Sequence, residues 1–197
     1  MVYIDCYRSN SRTTLPAAQW LEEKGFHVGI NILNVSDLTE PEIIDIGKHA
    51  RKWPINVINL VDSLGSLRPE TLSSLVQCFK AEWKGPLGFR GRDNMRLALL
   101  NTLTAIDEAV TWVDSSIDGI GKGAGNTRTE ELVIEKKLGL IPDLASLLKF
   151  SRIYIEPLKR IKPWGTILAT TLLACTGLTQ RSWKNLRLIR ASAASRQ

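Results

Sequence analysis

Arg90 and Arg92 stand two residues apart at the end of a short β-rich run, Leu87–Arg90. Alternate residues of a strand point to the same side, so this spacing offers two guanidinium groups to one ligand. Guanidinium is always cationic and has no lone pair to give. The pair therefore suits a carboxylate or a phosphate and would repel a metal ion. Other polar groups follow neighbouring apolar runs. Asp62-Ser63 follows Val57–Val61, and Asp114, Ser115, Asp118 and Asn126 lie on or after Val110–Ile117. Singly, each is a common helix cap or turn former. Together they mark one face on which several strands end. Gly119–Asn126 contains G-x-G-x-x-A between a strand and a helix, the outline of a dinucleotide-binding turn. It sits in the last β-α unit, and no acidic residue closes a following strand. His27 enters a strand and His49 lies inside a helix, so neither is an acid–base candidate.

These groups need elements to position them. Val2–Tyr7, His27–Leu33, Val57–Val61, Leu87–Arg90 and Val110–Ile117 are β-rich and apolar and read as strands. Helical spacing predicts helices over Thr14–Lys24, from Ser36-Asp37 through His49, over Leu67–Lys84, Met95–Ala109 and Thr127–Leu138. After Pro142 the strands stop, and helices are expected over Leu144–Arg152 and Gly165–Leu178. Strict β-α alternation with apolar strands means a parallel sheet covered by helices. A doubly wound sheet and a (β/α)₈ barrel both satisfy that pattern. In either, ligands gather beyond the C-terminal strand ends.

The bulk numbers restrict the partners. The 197 residues suffice for one core but fall short of the roughly 250 of a complete barrel. The net charge of +6 is uneven: eight basic residues and no acidic one follow Glu156, leaving 26 − 8 = 18 basic against 20 acidic groups before it. The body thus has no bias towards nucleic acid. The three cysteines are far apart, which suggests neither a disulfide framework nor a zinc site and fits a reduced, cytoplasmic setting. No signal peptide is expected. The longest apolar run, Trp164–Leu178, is short for a span of roughly 20 residues. No membrane partner is expected.

Three segments resemble one family. Gly88-Phe89-Arg90-Gly91-Arg92-Asp93-Asn94 with Asn101 is similar to G-F-H-x-H-[DN]-N…N of the HMGL-like (pyruvate carboxyltransferase domain) aldolases and lyases. Val113-Asp114-Ser115-Ser116, Gly119–Asn126 and Glu130-Glu131-Leu132 resemble the family's V-D-x-S…G-x-G-x-G-x-G-N…E-x-L segment. Asp62-Ser63-Leu64-Gly65 resembles its D-[ST]-x-G turn. The match covers roughly Val2 to Leu138, and Trp164-Gly165 points to the 4-hydroxy-2-oxovalerate aldolase branch.

The resemblance implies a partial (β/α)₈ TIM barrel lacking its N-terminal strands, over residues 1–140. A helical extension over 141–180 and a basic tail over 181–197 complete the organisation. It also implies a lyase acting on a 2-oxo acid with Mg²⁺ or Mn²⁺, which polarises the carbonyl as a Lewis acid. The two metal-binding histidines of the family correspond to Arg90 and Arg92, and Asn126 alone matches a remaining ligand. Its first-strand Asp and general base have no counterpart here. The expectation is an aldolase-like domain impaired by truncation and ligand loss, with the metal not bound. The expected substrate or anion site is Arg90, Arg92, Asp62 and Ser115. The alternative is a non-catalytic anion-binding or interaction module using Arg90 and Arg92. Expected partners are a small 2-oxo acid or other anion, and a second copy or another chain completing the barrel at its open edges.

Overall fold

Five short strands pair in parallel in simple chain order: β1 (Val2–Cys6), β2 (Val28–Leu33), β3 (Val57–Val61), β4 (Leu87–Arg90) and β5 (Trp112–Asp114). They come from a computed structural model that describes residues 1–135 and 144–177. The connections carry α1 (Ser11–Thr14), α2 (Ala17–Glu23), α3 (Glu40–Ala50), α4 (Pro69–Glu82) and α5 (Ala98–Asp107); α6 (Thr129–Glu135) follows β5. A doubly wound sheet reverses its strand order at a switch point and takes helices on both faces. Here the order never reverses. The connecting helices cover one face, so the five β-α units form an arc of a barrel.

The strand register shows why. Ile4, Ile30, Ile58 and Leu87 align across the sheet, and so do Cys6, Ile32, Leu60 and Phe89. These rows share one continuous apolar core with Leu15, between α1 and α2, and with helix residues such as Ile43, Ile46, Leu72 and Phe79. The opposite face is polar. Asp5, Asn31 and Asn59 align there, with Gly88 next in the row. Asn31 Nδ2 donates to Asp5 at 2.8 Å, and Asn59 Nδ2 donates to Asn31 Oδ1 at 3.0 Å. Asn59 also crosses Gly88 to donate to Asp114 Oδ2 at 2.9 Å. The strands read as uniformly apolar by composition, yet their inner face is a polar ladder.

Several boundaries differ from expectation for identifiable reasons. Pro16 lacks an N–H, so the expected helix over Thr14–Lys24 is replaced by α1, which ends at Thr14, and α2, which starts at Ala17. Ser36-Asp37 lie in a 3₁₀ turn, and α3 starts later, where Thr39 N–H donates to Glu42 at 2.8 Å in a capping arrangement. Thr127 caps no helix; its hydroxyl is buried against Ala98 O and Thr102. The predicted Thr127–Leu138 helix appears as α6, and its last three residues lie outside the described ones. Beyond it stand α7 (Leu144–Phe150), α8 (Glu156–Ile161) and α9 (Leu168–Thr176). The sequence did not predict α8. A π-turn over Ser151–Ile155 joins α7 to α8, directly before Pro157. Proline would collide with the carbonyl four residues back in a regular helix, and the wider turn relieves that. The basic tail and the end of the Gly165–Leu178 prediction lie outside the described residues.

Asp62 ends β3 and organises the turn into α4. It is fully buried, and its carboxylate accepts the N–H groups of Ser66 and Leu67, both at 3.2 Å. Burial nevertheless outweighs these bonds and pushes its pKa up to about 6. The folded value lies above the unfolded one, so the proton is bound more tightly in the native state. Stability from this group is therefore present at low pH and is lost as pH rises through about 6. Relative to D62N, the wild type should gain about 2 kcal/mol between about pH 7 and pH 4.5 in urea unfolding. Parallel stability curves for the two proteins would contradict this. Gly88 gives a second test. A Cβ there would meet Asn59 Oδ1 at 2.7 Å, and Asn59 is held on two sides. G88A should cost about 1–3 kcal/mol by chemical denaturation, whereas a neutral result would mean that the ladder yields freely.

Candidate functional site

The C-terminal strand ends enclose a pocket of about 440 Å³. Four strands contribute to its wall: Tyr7 just past β1, Leu33 and Asn34 at the end of β2, Ser63 past β3, and Arg90 and Arg92 at the end of β4. The glycine-rich loop after β5 adds Lys122, and α9 adds Leu173. That helix is bonded to the strand ends. Asn94 Nδ2 donates to Thr170 O at 3.0 Å, and the Thr171 hydroxyl donates to Asn94 O at 2.9 Å. The Thr166 hydroxyl donates to Asp93. The C-terminal helices thus fold back over the strand ends and close one side of the pocket.

The two arginines share the pocket but differ in state. Three donors converge on Asp114 Oδ2: Arg90 Nη2 at 2.6 Å, Arg90 Nε at 2.8 Å and Asn59 Nδ2 at 2.9 Å. Arg90 is therefore neutralised and fixed in direction. Arg92 lies just past the strand, in an isolated bridge opposite Asn126. Its Nη1 donates to Lys122 O at 2.8 Å, and its buried Nε has no hydrogen-bond partner. Burial and then the nearby Arg90 lower its pKa, and Asp62 opposes them. Among the described residues neither Arg92 nor Lys122 has a carboxylate in ion-pair range, so neither cation of the pocket is paired directly. The one acidic residue of the wall, Asp5, accepts from Asn31.

The other expected site residues are used structurally. Asp62 serves its buried turn and is not part of the pocket wall. The Ser115 hydroxyl bonds Thr129 at 2.9 Å. Asn126 donates to Ile120 O at 3.2 Å and to Ser116 at 3.4 Å. Ser63 and Asn94 belong to the polar clusters that mark the ends of the third and fourth strands, whereas Tyr7 and Lys122 carry no such signal in the sequence. Leu173 carries no polar signal and is identified only by the fold.

Two chemistries can be set against this geometry. A divalent cation needs several oxygen or nitrogen donors with free lone pairs. Arg90 and Arg92 have none, and among the described residues no three His, Cys, Asp or Glu side chains gather. The residues present do not fit the metal. The dinucleotide outline fits no better. In the Gly119–Asn126 loop, Asn126 N–H donates to Gly119 O at 3.0 Å, and a Cβ on Gly125 would stand 2.2 Å from that same oxygen. The glycines are required because the loop folds onto itself, not because they cradle a phosphate. The Asp118 N–H is satisfied by Glu130 at 2.9 Å.

Comparison with known proteins agrees with this architecture. Residues 5–154 match the HMGL-like family. A 4-hydroxy-2-oxovalerate aldolase of Brevibacillus brevis is 31% identical over 133 residues, which are 66% of this chain and 39% of that protein. An oxaloacetate decarboxylase of Mycobacterium tuberculosis is 32% identical over 120 residues, 60% of this chain and 35% of its own. The chain thus spans well under half the length of these curated relatives. The N-terminal domain of a candidate aldolase from Bacteroides vulgatus superposes with a TM-score of 0.86 at 28% identity, over 97% of this chain and 66% of that one. The HMG-CoA lyase of Bacillus subtilis shares the fold, with a TM-score of 0.67 at 15% identity over 87% of this chain and 66% of that one. Sequence, strand order and superposition converge: the chain belongs to the HMGL-like family of aldolases and lyases.

Proposed function

We propose that the pocket binds the carboxylate of a small 2-oxo acid through Arg92 and Lys122, and does so without a divalent metal. The observation that carries this reading is the unpartnered Nε of Arg92, a buried donor on a cationic side chain of the pocket wall. A buried donor without an acceptor is costly, and an anion at this half-buried side chain would offset that cost. Asp114 holds Arg90 beside it, so Arg90 shapes the pocket and excludes a second cation. Tyr7, Ser63 and Asn94 offer neutral polar groups for the rest of a polar ligand. The 2-oxo acid class is supported by the activities for which the aldolase and the decarboxylase relatives are named.

On this reading the chain retains the acid-binding half of an aldolase or lyase site. The metal-dependent step has no donor set here, so C–C bond cleavage by this chain alone is not expected. An anion-binding role is thus favoured over a metal-dependent aldolase.

Isothermal titration with pyruvate in excess EDTA tests the proposal. The wild type should bind, and R92M should weaken binding roughly tenfold to a hundredfold, the loss of one or two charge-assisted hydrogen bonds. R92K, which keeps the charge but loses the planar fork, should fall between them. Unchanged thermal melting of the variants would show that the fold survives. Absence of pyruvate binding in the wild type, or equal binding by R92M, would overturn the proposal.

A further inference from the structure

The helices after residue 143 carry a surface that the pocket does not use. Residues 144–161 run as one helix through α7, the π-turn and α8. One row of it faces the body: Leu147, Ser151, Ile155 and Lys159 are all partly buried. Lys159 anchors that row through Asp118 at 2.8 Å and lies over the Trp164 ring. Phe150, Ile153, Tyr154, Pro157 and Ile161 follow spacings of three and four, which makes a second stripe along the same helix. All five are exposed, and the Phe150 and Tyr154 rings touch with centroids 5.0 Å apart. The apolar surface continues past the helix. Ile161 is 84% exposed and Leu168 is 75% exposed, on either side of Pro163. A cleft of about 500 Å³ opens beside it, with Leu158, Pro163 and Trp164 in its wall and Lys122 and Lys162 among its lining residues. Isolated exposed apolar residues are ordinary, but an aligned stripe continuing into an apolar cleft is a docking surface.

The charge around the stripe selects the occupant. Lys149, Arg152, Arg160 and Lys162 are exposed along it, against the single acid Glu156. The sequence beyond adds Arg181, Lys184, Arg187, Arg190 and Arg196 with no acidic residue. A second copy meeting this face across a two-fold axis would place cation against cation. An apolar stripe with aromatic groups and a border in which basic groups outnumber the one acid, Glu156, matches the interface of an anionic bilayer. We propose that this face lies on an anionic lipid surface. The apolar stripe enters the headgroup boundary, and the flanking lysines and arginines meet lipid phosphates. The expectation of no membrane partner came from the lack of a long apolar span. Among the described residues no helix is long and apolar enough to cross a membrane. An interfacial helix does not cross one, so that length criterion does not apply to it.

Flotation of the full chain with vesicles tests this. One set is pure phosphatidylcholine, and the other contains about one-third phosphatidylglycerol. The chain should float with the anionic vesicles at low salt, be released at high salt, and stay down with the neutral ones. The double variant I153E/I161E alters two exposed positions and should lower partitioning more than about tenfold while leaving pyruvate binding and thermal melting unchanged. No flotation with anionic vesicles, or equal flotation by the double variant, would overturn the proposal. So would a concentration-dependent dimer in sedimentation equilibrium that the same two substitutions abolish, because a second copy would then cover the face. Pyruvate binding is read separately, so failure here is distinguishable from failure of the pocket reading.

Discussion

One carboxylate oxygen holds the site together. Asp114 Oδ2 takes two donors from Arg90 on β4 and one from Asn59 on β3. Asn59 passes the connection to Asn31 on β2, and Asn31 passes it to Asp5 on β1. Every strand of the sheet therefore reaches this oxygen through its own side chain or a neighbour's. The chain of amides fixes the relative register of the strand ends, and those ends carry the pocket. It also explains Gly88, where any side chain would block the path from Asn59 to Asp114. Charged hydrogen bonds of this kind are stronger than neutral ones, and Asn31, which accepts from Asn59 and donates to Asp5, links the strands in a relay whose members polarise one another.

The electrostatic consequence follows directly. Asp114 neutralises Arg90, and the wall offers no comparable acid to Arg92 or Lys122. The pocket is left with positive charge, an open donor on Arg92 and a buried Asp62 behind it whose pKa is pushed up to about 6. A site that places a divalent cation among oxygen and imidazole donors has the opposite sign. The family's frame is kept, but its field at the strand ends is inverted.

Much of the fold was legible in the sequence. The apolar runs gave all five strands, because a strand buried on its outer face needs Val, Ile and Leu at alternate positions whatever its inner face carries. Arg90 and Arg92 were visible as a same-side pair for the same reason. The barrel arc was not separable from a doubly wound sheet, since both have the same local periodicity and differ only in strand order. The polar ladder was missed because Asp5, Asn31 and Asn59 are single residues inside apolar runs, and only the register brings them into one row. The separate fates of Arg90 and Arg92 were hidden because Asp114 lies 24 residues along the chain from Arg90. The helix over 156–161 was hidden by Pro157, which reads as a break but occupies a first-turn position.

The central claim is that the strand-end pocket is built around positive charge and is not a metal centre. Manganese electron paramagnetic resonance tests it most directly, because free hexaquo Mn²⁺ gives a sharp six-line spectrum that binding broadens away. Adding the wild-type chain to Mn²⁺ should leave that spectrum at full intensity. Stoichiometric loss of the six-line signal on adding the wild type would contradict the account.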